Sequence, residues 1–251
     1  MTTQKLPAKF LFHFTSSKVL VVLTSFDTMP ATGKPTGWFL PEFAHPYYEL
    51  EGKCDLTIAS PKGGEAPLDP SSVEMFKSDP KSTQFLESPE TQKLWKNTEK
   101  LSNLLPRVSE FDAIFYVGGH GPMFDLTEDK TSIALIEAFA AAKKPISAVC
   151  HGPCVFLNTK APNGEPLITG KAVTGFSNLE EDQVQLSAAM PFMLETELNK
   201  ISGGKYVKAD EPWGEKVVVE TTAGIGGPLI TGQNPASASG VGAALLKALG
   251  L

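Results

Sequence analysis

The ten residues SAVCHGPCVF, 147–156, put a thiol and an imidazole side by side at the end of an apolar run. Ala148, Cys150 and Gly152 follow the form small–x–nucleophile–x–Gly, the pattern of a nucleophile elbow with cysteine in place of serine. At such a turn the nucleophile stands clear of the sheet, close to the start of the next helix. The partial positive charge of that helix end is expected to lower the pKa of Cys150 and favour the thiolate. Backbone N–H groups of the turn can hold an oxyanion. The alternative is a small cysteine that is merely packed. Cys154, four residues on, reads as a core cysteine, with a resolving thiol as its other reading. In YVGGHG, 116–121, Gly118 and Gly119 would let the backbone approach a ligand and offer N–H donors, while His120 reads as a loop residue rather than a ligand. TGWFLPE, 36–42, ends in Glu42. If this aromatic stretch is buried, desolvation raises the Glu42 pKa and lets it donate a proton. If it is not, Glu42 belongs to a solvated helix face.

Strands must carry these turns. The segments 18–25, 54–60, 111–117, 145–150, 216–221 and 228–232 read as strands. Helices are expected over 38–52, 131–144 (with lysines in its last turn), 152–158, 181–200 (broken before Pro191) and 234–249. Residues 61–105 read as an insertion or cap of helical pieces broken at Pro80 and Pro89, and residues 1–17 as an N-terminal extension of a single domain spanning 1–251. Alternating strands and helices predict an α/β fold with a mostly parallel sheet between helices, flavodoxin-like in order. Ligands of such sheets sit outside the carboxyl ends of the strands. The chemistry is expected there, after Ser25, at 118–121 and at 150–151.

The chain has 251 residues, 41% of them hydrophobic, which is enough for a substantial core. Its net charge of −6, with no block of Lys or Arg, argues against a nucleic-acid partner. The three cysteines are too few for a disulfide framework and suit a reducing compartment. No stretch has the length of a membrane span, and the first 22 residues hold three lysines but no arginine, so the expectation is a cytoplasmic protein without a transit peptide.

TGWFLPEFAHP (36–46), GGHG (118–121), AVCHGP (148–153), PLITGKAVTGFSNLEE (166–181) and LITGQNPAS (229–237) together resemble the ThiJ/PfpI superfamily, whose fold is like that of class I glutamine amidotransferases. Within it the chain is similar to the heat-shock-chaperone-like branch that includes the glutathione-independent glyoxalases, or glyoxalase III. The resemblance implies Cys150 as nucleophile, Glu42 as the acid paired with it, and His151 as general acid/base. It implies Glu181 as the carboxylate that orients His151, with its neighbour Glu180 as the weaker match. Gly119, beside Gly118, and the His151 N–H would hold an oxyanion. It further implies conversion of methylglyoxal, a small dicarbonyl, to D-lactate without a cofactor, and a possible homodimer. One subgroup has a metal-ligating histidine where this chain has Phe39, so no metal is expected here. A cysteine peptidase or amidase, a protein deglycase and a non-catalytic holdase are the competing readings. A glutamine amidotransferase subunit fits least, since its histidine is distant from the cysteine.

Overall fold

Ser17–Val22 (β1), SKVLVV, is buried over its last four residues, as a strand covered on both faces must be. The structure, a computed structural model, describes residues 16–221 and 226–251. Nearly all of the expected N-terminal extension lies outside them. Cys54–Ser60 (β2), Glu99–Lys100 (β3), Ala113–Tyr116 (β4), Ile146–Val149 (β5), Val217–Glu220 (β6) and Leu229–Gly232 (β7) complete a seven-stranded sheet in the order β3-β2-β1-β4-β5-β7-β6. All pairings are parallel except that of β6 with β7. Omitting the edge strands β3 and β6 leaves the flavodoxin-like order expected. The two-residue β3 has no apolar pattern, and nothing in the sequence marks it as a strand.

Register decides where the site lies. Val22, Tyr116, Ala148 and Thr231 form one row across the sheet. Four strands therefore end together, and residues 117–121, 150–151 and 233–234 emerge at one edge.

Leu40–Leu50 (α1) tolerates both of its prolines: Pro41 lies in the first turn, where no N–H partner is lost, and Pro46 lies inside the helix. Pro70–Met75 (α2), Pro80–Glu87 (α3) and Pro89–Lys96 (α4) each start on a proline. Asp69 and Asp79 cap the first two by accepting from Ser71 N and Ser82 N. Prolines thus begin the helices of residues 61–105, and this is why the expected breaks fall at residues 80 and 89. Pro122–Asp125 (α5) follows β4, and Lys130–Ala141 (α6), capped by Asp129, packs on β4 and β5. Lys143 and Lys144 lie beyond this helix rather than in its last turn; Lys143 has φ 58°, which ends the helix.

Two further expectations need correction. Residues 152–156 form a short 3₁₀ turn, not an α-helix. Residues 181–200 contain only the end of Asn178–Gln183 (α7), a 3₁₀ turn at Ser187–Ala189, and most of Leu194–Ile201 (α8). Gln185, at φ 60°, breaks the run well before Pro191. Ala238–Ala248 (α9) closes the fold against α1, β5 and β7. Gly242 permits the contact with α1, since a Cβ there would lie 3.0 Å from both Pro46 Cα and Glu49 Cβ. No helix among the described residues is long and apolar enough to cross a membrane.

Residues 61–105 are fastened to α1 by aromatic rings. Phe85 of α3 is fully buried, with Phe43, Tyr47 and Trp38 at ring centroid distances of 4.9, 5.2 and 6.3 Å. Phe85→Ala is expected to cost about 3–5 kcal/mol, read as a lower urea midpoint. An unchanged midpoint would mean that residues 61–105 contribute nothing to the stability of the sheet.

Candidate active site

The sharp turn after β5 falls on Cys150, a non-glycine residue with φ 60°. Left-handed backbone costs an ordinary residue about 1–2 kcal/mol, and two strong restraints hold it here. Cys150 N donates to Gly232 O at 2.9 Å, and Phe176 N donates to Cys150 O at 2.8 Å. Gly152 must be small, because a Cβ there would sit 2.9 Å from Tyr116 O. The elbow is present, but its electrostatics differ from expectation. The thiol lies beneath the surface and its pKa is pushed well above the ordinary cysteine value, first by burial and then by the neighbouring Glu42 carboxyl. A single 3₁₀ turn has too few aligned peptides to offset this. Cys154 is buried in the core as expected, its thiol pushed up to about 12 by burial.

Glu42, in the first turn of α1, is completely buried. Neither of its oxygens completes a hydrogen bond of ordinary geometry. The polar groups that face it are the Cys150 thiol and the N–H groups of Gly119 and Gly118. Burial raises its pKa well above the usual carboxylate range, with those donors opposing. The two glycines allow this approach. A Cβ on Gly118 would lie 2.4 Å from Glu42 Oε2, and one on Gly119, at φ 92°, would lie 2.3 Å from Gly37 O. Glu42 is thus a protonated acid in the interior, not part of a solvated helix face.

On its other side Cys150 Sγ lies 3.3 Å from His151 Nδ1, and His151 Nε2 is 2.6 Å from Glu181 Oε2. Glu181, rather than Glu180, is the carboxylate that meets His151. The other Glu181 oxygen, Oε1, is 2.8 Å from His120 Nε2. The His120 ring lies tilted by 41° against that of His151, with centroids 4.2 Å apart. Burial and the nearby His120 lower the His151 pKa, although Glu181 supports its charge. For Glu181, burial works against the charge, but His151 and His120 outweigh it and hold the pKa far below the usual range.

His120 lies in a loop, as the sequence implies, yet its ring joins the site. Only the GGHG spacing after a strand hints at this. Glu180 plays a different part: it is buried and accepts from Ser177 N, Ser177 Oγ, Trp213 N, Gln233 Nε2 and Asn234 Nδ2. The first of the three expected strand ends is also structural. Thr24 Oγ1 and Ser25 N donate to Asp125, whose pKa burial raises to about 6.

These groups open on a cleft of about 420 Å³. Cys150, His151, His120, Glu42 and Gly119 form its floor, with Phe39, Phe176 and Trp213 among its walls. His120, His151 and Glu181 bring three ligating atoms within 4.8 Å, a spacing that a metal ion could use. Each imidazole Nε2 is already engaged by a Glu181 oxygen. Phe39 contributes only an apolar surface.

The Glu42 shift has a measurable sign. A carboxyl with a raised folded pKa costs no stability below the unfolded value of about 4.3. Above that value the unfolded chain gains by releasing the proton. Glu42→Gln is therefore expected to match wild type near pH 4 and to become the more stable form as pH rises. The advantage should grow by at most about 1.4 kcal/mol per pH unit and level off above the folded pKa. Thermal melts across pH 4–9 measure it, and a pH-independent difference would contradict a neutral Glu42.

The chain matches the DJ-1/PfpI family over residues 100–247. Glyoxalase 3 of Candida albicans is 32% identical over 88% of this chain and 93% of its own length. The glutathione-independent glyoxalase HSP31 of Saccharomyces cerevisiae is 30% identical over 92% of this chain and 98% of its own. The crystal structure of glyoxalase III from Candida albicans superposes with a TM-score of 0.81 at 30% identity, covering 92% of this chain and 97% of the other. Sheet order, cysteine elbow and sequence likeness over most of the length converge, and the chain belongs to the DJ-1/PfpI family.

Proposed function

We propose that the protein is a glutathione-independent glyoxalase, a lyase-type enzyme that converts methylglyoxal to D-lactate with Cys150 as nucleophile. One observation carries this reading. The Cys150 sulfur lies between a raised, proton-bearing carboxyl and an imidazole whose far nitrogen meets an ionised carboxylate. The glyoxalase names of the relatives support it.

The thiol proton passes to His151 Nδ1 as the sulfur attacks the aldehyde carbon. Glu181 stabilises the imidazolium that results, and the burial that lowers the His151 pKa favours return of the proton later. The Gly119 N–H, which faces the thiol, holds the new oxyanion, with the His151 N–H beside it. The imidazolium returns its proton to that oxygen, and the neutral hemithioacetal then loses its C1 proton to give an enediolate. A proton returns to C2, and the hydroxyl proton moves to the C2 oxygen. This internal transfer oxidises C1 to a thioester and reduces C2 to an alcohol. His151, neutral again once its proton is returned, is placed to take the C1 proton, and Glu42, whose carboxyl burial keeps protonated, is placed to give one. Water then hydrolyses the thioester, releasing lactate and the thiol. No cofactor or metal enters this scheme.

A peptidase or amidase would need Cys150, His151, Glu181 and the oxyanion donors but not a second protonated acid against the sulfur. Glu42 therefore favours the dicarbonyl reaction.

Purified protein with methylglyoxal, chelator and no glutathione is expected to release D-lactate. Cys150→Ser is expected to lose at least about a thousandfold in kcat while its melting curve stays cooperative. Lactate from Cys150→Ser at the wild-type rate, or none from wild type, would end this proposal.

A further inference from the structure

The cleft exceeds what a three-carbon substrate requires. Methylglyoxal has five heavy atoms and, at about 30 Å³ for each water-sized group, fills about 150 Å³. The cleft holds about 420 Å³. Its unused part is apolar: Met29, Phe39, Met75, Val184, Leu186 and Trp213 line it beyond the reacting groups. Asp69 also faces the cleft, but its oxygens accept from Ser71 N, Ser71 Oγ and Thr36 Oγ1. Lys34 sits exposed at the rim.

Two of the apolar side chains are left in water. Met75 is 57% exposed and Trp213 37% exposed, and both line the same cleft. The placement of Trp213 is built, not incidental. Its backbone is left-handed, at φ 64°. Its N–H donates to Glu180 Oε1 at 2.9 Å and its indole N–H to Gln183 Oε1 at 2.6 Å. The indole stands edge-on to Phe176 at 5.5 Å, and Phe176 lies 4.4 Å from the His151 ring. An aromatic wall thus runs from the reacting imidazole to the mouth of the cleft.

We infer that the preferred substrates are 2-oxoaldehydes that carry an aryl or medium-length alkyl group on the second carbonyl, with that group lying along Phe176 and Trp213 towards Met75. This inference rests on the glyoxalase reading of Cys150 and narrows its substrate class. A glycated lysine or arginine side chain suits the same walls less well, because beyond the reacting groups the carboxyl among the described lining residues is Asp69, whose oxygens are already engaged. With an aryl oxoaldehyde the internal transfer is unchanged, and phenylglyoxal plus water gives mandelate.

The test compares kcat/KM for phenylglyoxal and methylglyoxal by product formation. Wild type is expected to favour phenylglyoxal by about tenfold or more, mainly through a lower KM. Trp213→Ala and Met75→Ser are each expected to reduce that ratio by about threefold. Met75 is exposed, so its replacement does not threaten folding. A wild-type ratio of one or less, or a ratio that neither variant changes, overturns the inference. If neither substrate is turned over, the glyoxalase reading fails, and calorimetry with mandelate and lactate decides the narrower point. Tighter binding of mandelate, weakened in Trp213→Ala, upholds an apolar-ligand cleft; equal binding overturns it.

Discussion

A single buried carboxylate, Glu180, ties together the parts of the chain that build the site. It closes the capping box of α7 through Ser177 and also reaches Gln233 and Asn234, just beyond β7. It binds the backbone of Trp213 as well. Few buried charges survive without a partner, and this one is held by five donors instead of a cation. Because α7 is anchored by its third residue, the next residue, Glu181, has a fixed direction and meets both His151 and His120. The segments TGFSNLEE and GQNPAS are far apart in sequence, but they are two halves of this anchorage.

The site itself balances charge by separation. Glu181 keeps its negative charge because two imidazoles flank it, whereas Glu42 holds its proton because it is fully buried. The sulfur lies between these two regimes, with its own proton retained. At rest Glu181 carries the negative charge beside a protonated thiol and a protonated Glu42, and in the proposed reaction a further charge pair develops only as the thiol gives its proton to His151. Charge that appears only on the reaction path is what a preorganised, poorly hydrated cleft stabilises best.

The strands with near-continuous apolar runs and the elbow are legible in the sequence, because both are local signals. Ala148, Cys150 and Gly152 carry their meaning within five residues. Local sequence does not separate Glu180 from Glu181, and only the family resemblance favours Glu181, since both stand in the first turn of α7 and differ in which distant segment each faces. His120 escapes notice for the same reason, because its partner is 61 residues away. The charge state of the thiol is misjudged from sequence. A helix start beside a cysteine can be seen there, but the burial that outweighs it depends on α1 and on the close approach of Gly118 and Gly119, which only the folded sheet provides. Residues 152–156 read as an α-helix because Pro153 suits a first turn, yet the segment ends after a single 3₁₀ turn.

The left-handed backbone of Cys150 is closed by Gly232 on one side and Phe176 on the other. Both restraints, and Glu181 as well, come later in the chain than the cysteine, whereas Glu42 and Gly119 come earlier. During synthesis the thiol therefore emerges before the contacts that shape its turn can exist. Until β7 has inserted beside β5, an unfolded Cys150 is no more than an ordinary solvated thiol, and its special environment arrives with the last long-range strand pairing. Maturation of the site is thus bound to completion of the sheet, and only then does the sulfur pass from an ordinary solvated thiol to a buried one that keeps its proton.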